Sequence, residues 1–158
     1  MANTSYLIKV VEPYLLNWTA QKIGIPLEKK KVVVGEDSEG RSVSFQFDGV
    51  SEDGEVGVCI SASSSYKVGQ MRKFFMEATL LNRVRRFKRR IMVFVNEGIW
   101  EGFKNQCDGM ADLKNIEPMV CADLPDEMSA EIRKIYKESA AEVGDKSGPG
   151  KRIPRRRT

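Results

Sequence analysis

Between Tyr6 and Ile23 the apolar residues Tyr6, Val10, Leu15 and Trp18 recur at roughly helical spacing, and Gly24 and Pro26 end the run. The pattern predicts an opening helix, bent near Pro13 unless that residue lies in the first turn, because proline has no N–H for the helix ladder. The period then shortens. Lys31–Gly35 carries the β-branched run Val32-Val33-Val34, Glu36–Gly40 reads as a hairpin turn, and Val43, Phe45 and Phe47 alternate with Ser44 and Gln46. A second turn at Ser51–Gly54 leads to Val56–Ile60, which is apolar throughout. Three strands in a meander therefore follow one helix.

Beyond the polar stretch Ser61–Ser65, the residues Val68, Met71, Phe74, Phe75, Ala78, Leu81 and Val84 recur at steps of three and four, the clearest helical periodicity in the chain. Ile91–Val95 is a continuous apolar run of strand length, as expected of a strand covered on both faces. Ile99–Gln106 predicts a short helix and Ile116–Cys121 a short strand. Met128–Val143 predicts an amphipathic helix that opens at Pro125-Asp126-Glu127 and stops at Gly144. The order α-β-β-β-α-β-α-β-α predicts an α/β fold with a mixed central sheet flanked by helices on both faces. Val56–Ile60 should run antiparallel to Val43–Phe47. Ile91–Val95 should lie parallel beside it after a right-handed crossover through the 68–84 helix.

At 158 residues the chain suits one domain, residues 1–143. Residues 144–158 have no periodicity, and Gly148-Pro149-Gly150 followed by lysine and arginine predicts a disordered basic tail. Neither a long apolar run nor a signal-peptide pattern at Met1–Ile8 is present, so a cytoplasmic protein without membrane contact is expected. Cys59, Cys107 and Cys121 are odd in number and widely spaced, as for reduced thiols. With no histidine, Ser-His-Asp and Cys-His catalysis and H-E-x-x-H zinc sites are excluded.

The net charge of +4 is unevenly placed. The tail holds Lys146, Lys151, Arg152, Arg155, Arg156 and Arg157 against Asp145, which leaves 20 basic and 21 acidic residues in the body. Within the body Arg83, Arg85, Arg86, Lys88, Arg89 and Arg90 form a cluster with no acid among them. Helix-terminal capping explains some of these charges, and six without an acid is more than capping requires. A phosphate-facing patch and a cationic arm are expected, binding DNA or RNA without reading sequence. An acidic protein surface is the other partner such a tail suits. Trp18, Trp100, Phe74 and Phe75 keep core-like spacing, so base stacking is not expected.

Phe47-Asp48-Gly49-Val50-Ser51-Glu52-Asp53-Gly54, followed by Val56-Gly57-Val58-Cys59-Ile60-Ser61, resembles the core of the PD-(D/E)xK, or restriction-endonuclease-like, nuclease superfamily. The resemblance covers about residues 6–107 and includes the order of helix, three-strand meander, helix and buried strand. It implies an acid at the end of one hairpin strand and an acid-x-lysine motif on the next. The two acids hold a divalent cation over the scissile phosphate, and the lysine positions or deprotonates water. Asp48 matches the first acid and metal ligand, and Glu12 matches an acid sometimes present on the first helix. Cys59 and Ser61 stand where the second acid and the lysine belong.

A thiol does not replace a carboxylate toward magnesium, and a hydroxyl does not carry a lysine's charge. The expectation is a catalytically degenerate nuclease fold serving as a nucleic-acid-binding or assembly module, with no cofactor. The first alternative is a magnesium-dependent endonuclease with relocated residues: Lys67 or Lys73 in place of the lysine, Glu77 or Glu55 as an oxygen ligand. Against these, Glu55 falls in a turn away from the expected metal and Glu77 on a helix with an apolar inner face. The second alternative is a protein-interaction module using the basic tail. Each residue also has a plain structural reading. Asp48 before Gly49 suits a turn, Glu12 a helix start, Cys59 a core position, and Ser61–Ser65 a solvated connector or an anion-holding stretch.

Overall fold

The structure, a computed structural model, describes residues 4–64 and 68–137. Lys67, the part of the last predicted helix beyond residue 137 and the basic tail lie outside the described residues. The opening helix passes from α1 (Thr4–Tyr6) through a wider π turn (Leu7–Val11) into α2 (Glu12–Ile23). Pro13 accounts for that form, since it has no N–H to give and its ring crowds the carbonyl four residues back. The widened turn ahead of it, closed by the Glu12 N–H on the Leu7 carbonyl, takes up the misfit. Gly24, at a φ of 71°, closes α2 with its N–H on the Ala20 carbonyl.

β1 (Leu27–Glu36), β2 (Ser42–Ser51), β3 (Val56–Ile60), β4 (Arg89–Phe94) and β5 (Ile116–Val120) form one mixed sheet in that spatial order. The β1–β2 and β2–β3 pairs are antiparallel, and the β3–β4 and β4–β5 pairs are parallel. The α/β class and the parallel placement of β4 beside β3 are as the sequence predicts. Two details differ. β1 begins at Leu27, ahead of the β-branched run, because an edge strand carries exposed lysines such as Lys29, Lys30 and Lys31 without burying their charge. β3 pairs with β2 at Gly49 and Val50 rather than along Val43–Phe47, because the turn at Ser51–Gly54 sets the register and β3 is only five residues long.

A 3-10 turn (Val68–Gln70) leads into α3 (Met71–Arg83). Then come α4 (Glu97–Gln106), capped by the Asn96 side chain on the Ile99 N–H, and α5, helical over 126–137. Successive strand residues point to opposite faces, and here they enter two separate cores. Cys59, Met92 and Phe94 pack with Phe74, Ala78 and Leu81 of α3 and with Ile99, Trp100 and Phe103 of α4. Val58, Ile60, Ile91 and Val93 pack with Leu7, Val11 and Leu15 and with Met128, Ile132 and Ile135 of α5. Each Val, Leu, Ile, Phe or Met among them contributes about 1.5–3 kcal/mol when fully buried. β3 and β4 belong to both cores, so a side chain based on β3 has a firmly held backbone beneath it. Among the described residues no helix is long and apolar enough to cross a membrane.

Candidate metal centre

Asp48 lies inside β2 and not in a turn. Glu28 pairs with Val50 and Lys30 with Phe47, so Lys29 alone on β1 faces both Asp48 and Gly49 on β2. Such a bulge re-aims the side chain it carries. The Asp48 carboxylate turns toward the end of β3, where its Oδ2 accepts the Ile60 N–H at 2.7 Å. Gly49 is the other half of the bulge. A Cβ there would meet Leu16 Cδ1 at 2.5 Å, so the missing side chain lets α2 come close to the sheet and brings Glu12 into the neighbourhood of Asp48. Glu12 and Asp48 both line a cavity of about 100 Å³, together with Ile8, Leu16, Lys29 and Ile60.

The second carboxylate comes from α3. Phe74, Glu77, Ala78 and Leu81 follow helical steps of three and four, and all four are buried. Glu77 therefore occupies an inward position of an otherwise apolar face, over the strand residue Cys59. A carboxylate oxygen of Asp48, one of Glu77 and the Cys59 sulfur all lie within 4.8 Å of one another. Glu77 is 6% exposed and makes no hydrogen bond or ion pair among the described residues. An ionised carboxylate in that position is costly unless a positive charge meets it.

Titration behaviour reflects this crowding. Burial, reinforced by Asp48 and Glu12 and opposed by Lys73, pushes the Glu77 carboxyl up from 4.5 to about 7. Burial also raises Asp48, against the Ile60 N–H bond and the charges of Lys73 and Lys29. Glu12 is raised by burial and then by Asp48. Burial, Glu77 and Asp48 together hold the Cys59 thiol well above its usual range. Three carboxyls and a thiol, each destabilised in its charged form, form a natural seat for a cation. Asp48 and Glu77 offer hard oxygen ligands that fit a divalent metal ion.

Lys73 sits one helical turn before Glu77, is exposed, and its charge acts on Glu77, Asp48, Glu12 and Cys59 alike. Lys29 on β1 acts on Asp48 and Glu12 and had no distinguishing mark in the sequence, because only the β1–β2 register sets it opposite the bulge. Glu77 did have a mark: it is the one acid at an inner-face position of the most regular helix.

Other expected residues fall elsewhere. Ser61 is buried and joins β4 through its N–H on the Val93 carbonyl. Glu55 lies at the opposite end of β3, paired with Lys88 at 3.2 Å. The arginine cluster is at that same end, since Arg89 pairs with Val56 across β3 and β4, about 10 Å along the strand from Cys59. Most of its side chains hold the fold. Arg83 donates to the Val34 carbonyl, Arg86 to that of Asp53, and Arg90 to those of Leu81 and Val84 at the end of α3. Arg89 pairs with Glu117 at 2.8 Å. Arg85 is exposed and has no such bond among the described residues. Lys151, Arg152, Arg155, Arg156 and Arg157 are outside the described residues, as is Lys67.

Comparison with protein-family models, with curated proteins and with solved structures finds no significant match to this chain.

Proposed function

We propose that this chain is a divalent-metal-dependent phosphodiester hydrolase of the PD-(D/E)xK type, acting on nucleic acid, whose second acid and lysine have moved from β3 to α3. The observation that carries this reading is the approach of the Asp48 and Glu77 carboxylates, from β2 and α3, beside a Lys73 one turn away. The helix, the three-strand meander, α3 and the parallel β4 support it. So do the uncharged residues at the two motif positions, Cys59 on β3 and Ser61 just past its end, while α3 brings Glu77 and Lys73.

Asp48 and Glu77 would hold the cation, which supplies charge neutralisation at the phosphate and a more acidic bound water. Asp48 is oriented by the Ile60 N–H, so one oxygen is fixed and the other is left for coordination. Hydrolysis adds one water across a P–O bond. The Lys73 ammonium suits either holding that water or countering the charge that develops on the phosphate oxygens. Lys29 lies on the Glu12 side of Asp48 and attracts the same anion.

The test is cleavage of plasmid, linear duplex and single-stranded DNA and of RNA by the full chain with magnesium, manganese, cobalt or zinc. Asp48→Asn and Glu77→Gln should each lower the rate at least ~100-fold, the scale on which catalytic charge stabilisation is lost. Activity that both variants retain overturns the proposal, and so does inactivity with every metal and substrate. In the inactive case, salt-sensitive binding without cleavage would return the chain to the nucleic-acid-binding role expected from Cys59 and Ser61.

A further inference from the structure

Restriction-type chemistry is served by hard ions, yet the third donor here is a thiol. Cys59 is 2% exposed, its sulfur is within 4.8 Å of oxygens from both acids, and it projects from the central strand of the sheet. The carboxylate that closes the group, Glu77, is more than nine-tenths buried, unpartnered among the described residues and turned toward the sulfur. We infer that Asp48, Cys59 and Glu77 form a three-donor O,S,O centre selective for a borderline, thiophilic divalent ion such as Zn²⁺ or Co²⁺ over Mg²⁺. This rests on the cation-binding half of the proposed function and not on cleavage.

Geometry and donor chemistry agree. In a tetrahedral zinc centre oxygens lie about 2.0–2.2 Å and sulfur about 2.3 Å from the ion, which sets ligand atoms roughly 3.4–3.7 Å apart. The three atoms therefore need to close by at most about 1.4 Å, within reach of small side-chain rotations of Asp48 and Glu77 over a fixed β3. The donors come from β2, β3 and α3, so the ion would tie the helix to the sheet. Magnesium demands near-ideal octahedral oxygen coordination and gives up water reluctantly, so it gains nothing from a sulfur. Thiolate ligation favours zinc and its neighbours. Three protein ligands leave a fourth position open, the arrangement that distinguishes reactive zinc sites from closed structural ones. Binding displaces the thiol proton to solvent, and the ion's charge replaces it.

The experiment loads chelator-treated full-length protein with Co²⁺. A thiolate-to-cobalt charge-transfer band should grow in the near ultraviolet to one equivalent, vanish on adding Zn²⁺ and persist in excess Mg²⁺. Cys59→Ser should abolish the band and weaken Zn²⁺ binding at least ~10-fold, while Cys107→Ser and Cys121→Ser keep both. X-ray absorption of the zinc-loaded unmodified protein should show one sulfur neighbour at about 2.3 Å, a reading independent of how any variant folds. Cobalt or magnesium bound without a sulfur neighbour overturns this inference and leaves the hydrolase reading standing. A sulfur-ligated ion in a protein that cleaves nothing does the reverse. Absence of any bound divalent ion overturns both.

Discussion

Replacing Glu77 by glutamine removes a buried charge at nearly constant shape, and the structure sets the size and direction of the effect. The Glu77 carboxyl titrates near 4.5 in the unfolded chain and about 7 in the folded one. A carboxyl raised on folding binds its proton more tightly in the native state. Its contribution is therefore fully present below about pH 4.5, declines as pH rises through about 7, and is lost above that. At roughly 1.36 kcal/mol per tenfold change, the difference is about 3 kcal/mol for this mostly buried side chain. Urea unfolding in chelator at pH 5 and pH 8 measures it. The unmodified protein should lose about 2.5 kcal/mol between the two, because part of the contribution is already gone at pH 5, and Glu77→Gln should lose far less, becoming the more stable of the pair at pH 8. Comparing the two pH values within each protein cancels the cost of burying an amide in place of a neutral acid. Saturating Zn²⁺ or Mn²⁺ at pH 8 should restore the unmodified protein, by about 2.7 kcal/mol at a hundredfold excess over Kd, and do little for the variant. Equal pH dependence in the two proteins would refute the argument that Glu77 is the strained group.

Gly57→Ala places a Cβ 2.2 Å from the buried Phe87 ring and should lower stability by about 1–3 kcal/mol in the same assay. Asn96→Ala removes both the α4 cap and the bond from its amide to the Ser64 carbonyl, and should cost about 1–2 kcal/mol in thermal unfolding. Arg90→Ala, which strips donors from the end of α3, should destabilise by more than 1 kcal/mol, whereas Arg85→Ala should stay within about 0.5 kcal/mol. Fluorescence anisotropy on duplex DNA across a salt series should give a slope of roughly −0.9 per phosphate neutralised. Deleting residues 145–158 should flatten that slope. Unchanged slopes would exclude the tail as a phosphate contact.

The sequence by itself determined the order of elements, because each has a period that burial imposes. Alternation marked β2, steps of three and four marked α3, and the apolar runs of β3 and β4 showed strands packed on both sides. It also marked Asp48 and placed uncharged residues at Cys59 and Ser61, since those are matters of residue type along one hairpin. What it could not give was proximity across elements. Glu77 is 29 positions from Asp48 and reaches it only because α3 packs its Phe74, Ala78 and Leu81 face onto the sheet. Lys29 meets Asp48 through a one-residue bulge that no composition signals. The arginine cluster shows the converse. Charge alone suggested a phosphate-facing patch, and the fold gives most of those guanidinium groups carbonyls and carboxylates of their own, at the far end of β3 from the acids. Periodicity reports which side of an element is buried. Which buried groups then meet depends on register and helix docking, and those are set by packing between segments remote in the chain.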